Sequence, residues 1–131
     1  MSERVTGKFI NISHDVASLD APSESTGRMR VTARRQYSGE IAGGSVGDLL
    51  ACQTGEMRFG YVGMDHFSGS LHGRSGTFVF QHGEMNDRGA IRAFGFIVSG
   101  SGTGDLQGIA GTVQIAVSGE NEHVITFDFT L

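Results

Sequence analysis

Apolar residues recur at every second position through most of this chain, and no stretch repeats them at the three-and-four spacing of an amphipathic helix. The clearest case is Tyr61 to Met85, YVGMDHFSGSLHGRSGTFVFQHGEM, which reads as two alternating strands joined by a Gly-rich turn. In the first arm Asp65, Phe67, Gly69 and Leu71 share one face and His66, Ser68, Ser70 and His72 the other. In the second arm Phe78, Phe80 and His82 oppose Thr77, Val79 and Gln81. A one-residue slip sends every side chain to the wrong side, so the two apolar faces coincide only if odd-numbered residues pair with even-numbered ones. Two registers of this parity are expected. A two-residue type II′ turn on Gly73-Arg74 sets His82 opposite Asp65 and Phe80 opposite Phe67, and a four-residue turn over Gly73 to Gly76 leaves Asp65 and His82 diagonal neighbours. Both place an acid and an imidazole at the end of an apolar face, which Tyr61 and Phe59 extend if no bulge intervenes at Gly60 or Gly63.

The same pattern predicts a first strand over Val5 to Ile12 and further strands over Arg28 to Ser38, Glu40 to Thr54, Met57 to Gly63 leading into the hairpin, Ala90 to Gly100, Thr112 to Ser118 and His123 to Leu131. On the second of these, Met29, Val31, Ala33 and Tyr37 share a face with Arg35, which is either turned out by a bulge or paired inside the sheet, because a buried guanidinium demands a partner. Arg28, Arg30 and Arg34 fall on the opposite face, where a solvated edge explains them better than a phosphate or carboxylate site. Leu49 to Cys52, and Ala90 to Gly100, are apolar on both faces, which implies cover on both sides. Ser13 to Gly27 is the one long polar connection, a mobile arm or a lid at about 15 residues. Gly100 to Gly111, GSGTGDLQGIAG, is a glycine-framed turn without the Gly-Lys-Ser/Thr of a phosphate loop.

Together these segments predict an all-β fold, a closed antiparallel barrel of about eight strands with little or no helix, and a sandwich as the runner-up. Residues 1–131 make one domain, with 13–27 as its long loop. Glycine contributes 21 residues and proline one, which fits turns, bends and bulges; 38% hydrophobic residues and nine Phe exclude a low-complexity chain. A net charge of −4 argues against nucleic acid or an anionic membrane as partner. Cys52 is the single cysteine, and no segment has the apolar length of a signal peptide or membrane span, so a cytoplasmic protein is expected. The strands apolar on both faces predict a homo-oligomer.

YVGMDHFSGSLHGRSGTFVFQH followed by GSGTGDLQGIAG resembles an uncharacterised bacterial family of small barrels, in which a Gly-Arg-Ser-Gly turn and a Gln-His pair precede this glycine motif. The resemblance runs from Thr6-Gly7 to Asp128-Phe129. That family is similar in fold to plant allene oxide cyclase and, more distantly, to dirigent proteins. The likeness implies an eight-stranded barrel with a central cavity, often oligomeric, and no activity. No catalytic residue of the cyclase maps onto this chain, and Asp65-His66 departs from the family's acid-Arg pair.

Candidate chemistry centres on Asp65 and His82, since an imidazole beside a carboxylate in a low-dielectric cavity can move protons to and from a ligand. Tyr61 on the same face offers a hydrogen bond to a ligand oxygen. The competing reading is a structural His satisfied by its neighbours. Histidines 14, 66, 72, 82 and 123 have no metal-ligand spacing, so no metal and no cofactor are expected. Two functions follow for one cavity. The first is binding of a small, largely apolar molecule by Phe59, Tyr61, Phe67, Phe80 and His82. The second is a cofactor-independent isomerase or cyclase in which Asp65, His82 and Tyr61 are catalytic. A structural oligomer with a filled barrel is the third reading.

Overall fold

The computed structural model describes residues 2–19 and 27–131. Its strands are β1 (Ser2–Leu19), β2 (Gly27–Gly39), β3 (Ile41–Gly55), β4 (Arg58–Leu71), β5 (Arg74–Asp87), β6 (Ala90–Ile97), β7 (Ala110–Gly119) and β8 (Glu122–Thr130). Each strand is antiparallel to the next and β8 pairs back with β1, so the eight form a ring rather than a sandwich. Among the described residues the only helical segment is a 3₁₀ turn, Gly104–Leu106.

The alternation places the core. Val5, Phe9, Tyr37, Phe67, Phe78, Phe80, Ile125, Phe127 and Phe129 all occupy the inward parity and are buried. Most of the inside is aromatic: the ring centroids of Phe67 and Phe78 lie 5.0 Å apart, and Phe127 stands edge-on to Phe78 at 5.4 Å and to Phe80 at 5.3 Å. These rings pack against one another through the middle of the ring. The segment between β6 and β7 closes one end by inserting Leu106 and Ile109, both fully buried. The glycine motif at residues 100 to 111 is therefore a plug.

Odd–even parity holds across β4 and β5, but neither expected register is formed. Leu71 pairs with Arg74, and the turn is His72-Gly73, with φ of 49° and 81°. Two positive φ values in a two-residue loop are the signature of a type I′ turn, and His is among the side chains that tolerate the left-handed region. The pairing slides by two residues, to Phe67 opposite Phe78, Asp65 opposite Phe80 and Gly63 opposite His82.

The loop expected over 13–27 is also corrected. After a register shift between Asn11 and Ser13, β1 continues against β2 as far as Leu19 opposite Arg28, and Gly27 already belongs to β2; residues 20–26 lie outside the described residues. Both faces of Ser13 to Ser18 are exposed, so this stretch is held by its backbone ladder and carries no hydrophobic alternation to reveal it. Nor are the doubly apolar strands covered on both sides within one chain: Leu50, Phe94 and Phe96 stand about half exposed on the outer face.

Candidate functional site

At about 3.3 Å per residue, a 14-residue strand is some 45 Å long, deeper than one layer of Phe rings can fill. Burial along the inward positions shows what happens to the excess. On β4 the sequence Leu71, Phe67, Asp65 is fully buried, Tyr61 is half-buried and Phe59 is 38% exposed. On β5, Phe78, Phe80 and His82 are buried while Glu84 and Asn86 are not; on β6, Ile97 is buried and Ile91 is 59% exposed. The ring is thus filled at one end and open at the other. The β6–β7 ladder is the shortest of the ring, consisting of Phe96↔Thr112 and Ile97↔Gly111 alone.

A polar cluster occupies the boundary between the two halves. Asp65 accepts a 2.7 Å hydrogen bond at Oδ1 from Nε2 of His82 and another of 2.7 Å at Oδ2 from Oγ of Ser45. Since Ser45 spends its proton on the carboxylate, the 2.8 Å contact between Ser45 and Tyr37 has the Tyr37 hydroxyl as donor. Arg35 supplies the counter-charge, its Nε 3.3 Å from Oδ2 without the alignment of a hydrogen bond, and its guanidinium lies 4.8 Å over the ring of Phe9. The side chains of Arg35, Asp65 and His82 are at most 7% exposed. Room for the carboxylate comes from Gly47 on β3, where a Cβ would come within 2.9 Å of all three carboxylate atoms.

The cluster reaches the open half through Tyr61, whose hydroxyl lies 3.2 Å from Nδ1 of His82. With Nε2 donating to Asp65, a neutral His82 accepts at Nδ1 and Tyr61 donates to it. Burial pushes the Tyr61 phenol up, and the negative charges of Glu84 and Asp65 add to this against the opposing effect of Arg35, so the phenol keeps its proton. Burial also drives the Asp65 carboxyl upward, but the His82 hydrogen bond, Arg35 and Ser45 together outweigh it and hold the group below its usual range, hence ionised. Tyr37 is pushed up by burial and by Asp65.

The expected site residues separate. Asp65, His82 and Tyr61 form one hydrogen-bonded row, although Asp65 and His82 meet diagonally across the ladder rather than directly opposite. Phe59 lies at the open end. Phe67 and Phe80 are fully buried among other rings beneath the cluster. Sequence reasoning missed Ser45 and Tyr37 and left Arg35 undecided. The available signal was that Arg35 and Asp65 each interrupt an inward apolar row with opposite charge. No three His, Cys, Asp or Glu side chains among the described residues converge as metal ligands, and no described helix is long and apolar enough to cross a membrane.

An eight-stranded antiparallel ring, filled at one end and carrying a buried Arg–Asp–His cluster beneath an open mouth, defines the class. The family model described as protein of unknown function (DUF3224) matches residues 5–129, and the chain belongs to that family. It is similar to the crystal structure of a DUF3224 protein of unknown function from Shewanella oneidensis MR-1, with a TM-score of 0.82 and 28% identity over 99% of this chain and 98% of that one. No curated protein matches the chain.

Proposed function

We propose that the open half of the ring is a binding site for a small, largely apolar molecule, a closed-barrel site of the allene oxide cyclase kind reduced to half its depth. What carries this reading is the change from buried to exposed along the inward face of β4, β5 and β6 at the level of Tyr61 and His82. The walls there are Val31, Leu49, Ala51, Phe59, Ala93 and Ile91, with the Tyr61 hydroxyl as the polar group nearest the floor. Native mass spectrometry of the purified protein is expected to show a bound small molecule that is lost in Ala93→Trp, which plugs the mouth from within. A bare chain in the wild type, or an adduct unaffected by the plug, would sink the reading.

The Tyr61–His82–Asp65 row favours a second reading, an isomerase or cyclase without a cofactor. In an isomerisation the Tyr61 oxygen can take a proton from the ligand as its own proton passes to Nδ1 of His82, the Asp65 carboxylate stabilises the imidazolium so formed, and the reverse relay returns a proton to the ligand at its new position. On this reading His82→Gln retains the bound molecule and abolishes its conversion; equal conversion by the variant leaves binding as the whole function.

A further inference from the structure

The hydrogen-bonded row from Ser45 to Tyr61 leaves its own counter-charge unsatisfied. The Arg35 side chain is only 7% exposed and carries five N–H donors, yet its guanidinium makes an ion pair with Asp65 and a contact with the Phe9 ring and no hydrogen bond among the described residues. Two further buried side-chain atoms have no hydrogen-bond partner among the described residues, Oδ1 of Asn11 and Nδ1 of His123. The three are neighbours. Asn11 on β1 pairs directly with Arg35 on β2, and Phe9, the preceding inward residue of β1, pairs with His123 on β8. The Phe9 ring ties them together: the His123 ring stacks on it at 4.7 Å, nearly parallel, and the Arg35 guanidinium lies 4.8 Å over it.

A buried donor or acceptor left unpaired costs more than a made hydrogen bond gains, so three such atoms gathered around one ring mark a place built for a polar group from outside the chain. The niche belongs to the open half. β8 begins at Glu122, next to His123, and Val117, which pairs with His123 from β7, is 75% exposed, whereas β4 and β5 run on past Asp65 and His82 to Arg58 and Asp87. The wall of the mouth is therefore lowest at the β7–β8 hairpin, with the niche at its foot. Burial, and then the charge of Arg35, push the His123 imidazole below its ordinary value, so this ring is neutral; the same charge reaches the Tyr61 phenol on the far wall.

We propose that this niche receives an uncharged hydroxyl borne by the apolar molecule in the mouth, an inference that rests on the open half being a binding site. The hydroxyl oxygen accepts from Arg35, and its proton goes to Nδ1 of His123 or Oδ1 of Asn11. A carboxylate fits less well, because Asp65 already balances Arg35 and a second anion would be buried beside it with His123 neutral. A bare hydrocarbon leaves all three atoms unpaired. A hydroxyl both donates and accepts and turns about its bond, so it meets either tautomer of His123 and either orientation of the Asn11 amide.

Three probes of one shape test this by fluorescence titration at neutral pH: 2-naphthol, 2-methylnaphthalene and 2-naphthoate. 2-Naphthol is expected to bind about tenfold or more tightly than either of the others, the difference a hydrogen bond to a charged donor makes. That advantage should disappear in Asn11→Leu combined with His123→Phe, a pair that keeps the stack on Phe9 and leaves the Arg35–Asp65 pair intact. Without ligand the double variant should melt no lower than the wild type, since it removes two unpaired polar atoms and no hydrogen bond of either side chain. Equal binding of 2-methylnaphthalene and 2-naphthol, abolished for both by Ala93→Trp, keeps the mouth as a binding site and overturns the hydroxyl niche. Tightest binding by 2-naphthoate overturns it as well, as does a 2-naphthol advantage that survives the double variant and is lost in Tyr61→Phe. A clear fall in the Tm of the ligand-free double variant would mean that the folded protein already satisfies these atoms, and would overturn it too. Failure of all three probes to bind removes the mouth reading itself and this inference with it.

Discussion

Replacing Asp65 by Asn is expected to destabilise the protein by about 3–5 kcal/mol, because it leaves Arg35 as a buried charge whose partner has gone. For a chain of this size that corresponds to a loss of roughly 10–20 °C in Tm, measurable by calorimetry or circular dichroism. The loss should be specific to the unpaired charge: Asp65→Asn combined with Arg35→Met should recover a large part of the stability, and the coupling between the two sites is the quantity to report. Acid should act on the wild type as the substitution does. The folded Asp65 carboxyl sits below its ordinary value of about 3.9, so its contribution is complete above that pH and is lost as pH falls through the folded-state value. Wild-type stability should therefore fall more steeply with acid than that of the Asp65→Asn, Arg35→Met variant. Equal acid sensitivity would mean that the carboxylate contributes nothing through its pairing.

The second large effect is expected at Phe67. It is fully buried, with ring contacts to Tyr37, Phe78 and Phe127, so Phe67→Ala opens a cavity in a packed aromatic core and should cost about 3–5 kcal/mol. Were Phe67 the wall of a ligand cavity, truncation would leave stability nearly unchanged and alter what binds. Urea denaturation separates the two, since a core residue shifts the midpoint of unfolding without altering its slope. The contrast with Phe59 at the open rim is part of the expectation: Phe59→Ala should cost well under half as much.

These two residues show what alternation revealed and what it could not. Inward parity put Asp65, Phe67, Phe80 and His82 on one face, and that followed from counting alone. Which of them face a cavity did not, because Phe67 and Phe80 differ from Phe59 only in how many other rings crowd in from β8, and that depends on strands distant in sequence. The register of β4 on β5 differs by two from the expected one for a local reason: the turn is type I′ and takes His72 as well as Gly73 at positive φ, a conformation that non-glycine residues rarely adopt. Ser13 to Leu19 was invisible as strand because neither of its faces is buried, so no alternation marks it. Arg35 was legible only as a problem. Its partner, Asp65, is legible in the sequence only as the acid beside His82, and the three-way cluster needs β2 and β4 to be brought to one level by β3.

The account depends on Tyr61 being the accessible end of a row that runs inward through His82 to a charged Asp65. Long-range proton–nitrogen NMR of the histidine rings reads that row directly. His82 is expected as the Nε2–H tautomer, its ring proton protected from exchange by burial, and its Nδ1 resonance should move when Tyr61→Phe removes the donor, while Nε2 stays close to its wild-type position. An Nδ1–H tautomer, or a His82 spectrum indifferent to Tyr61, would contradict it.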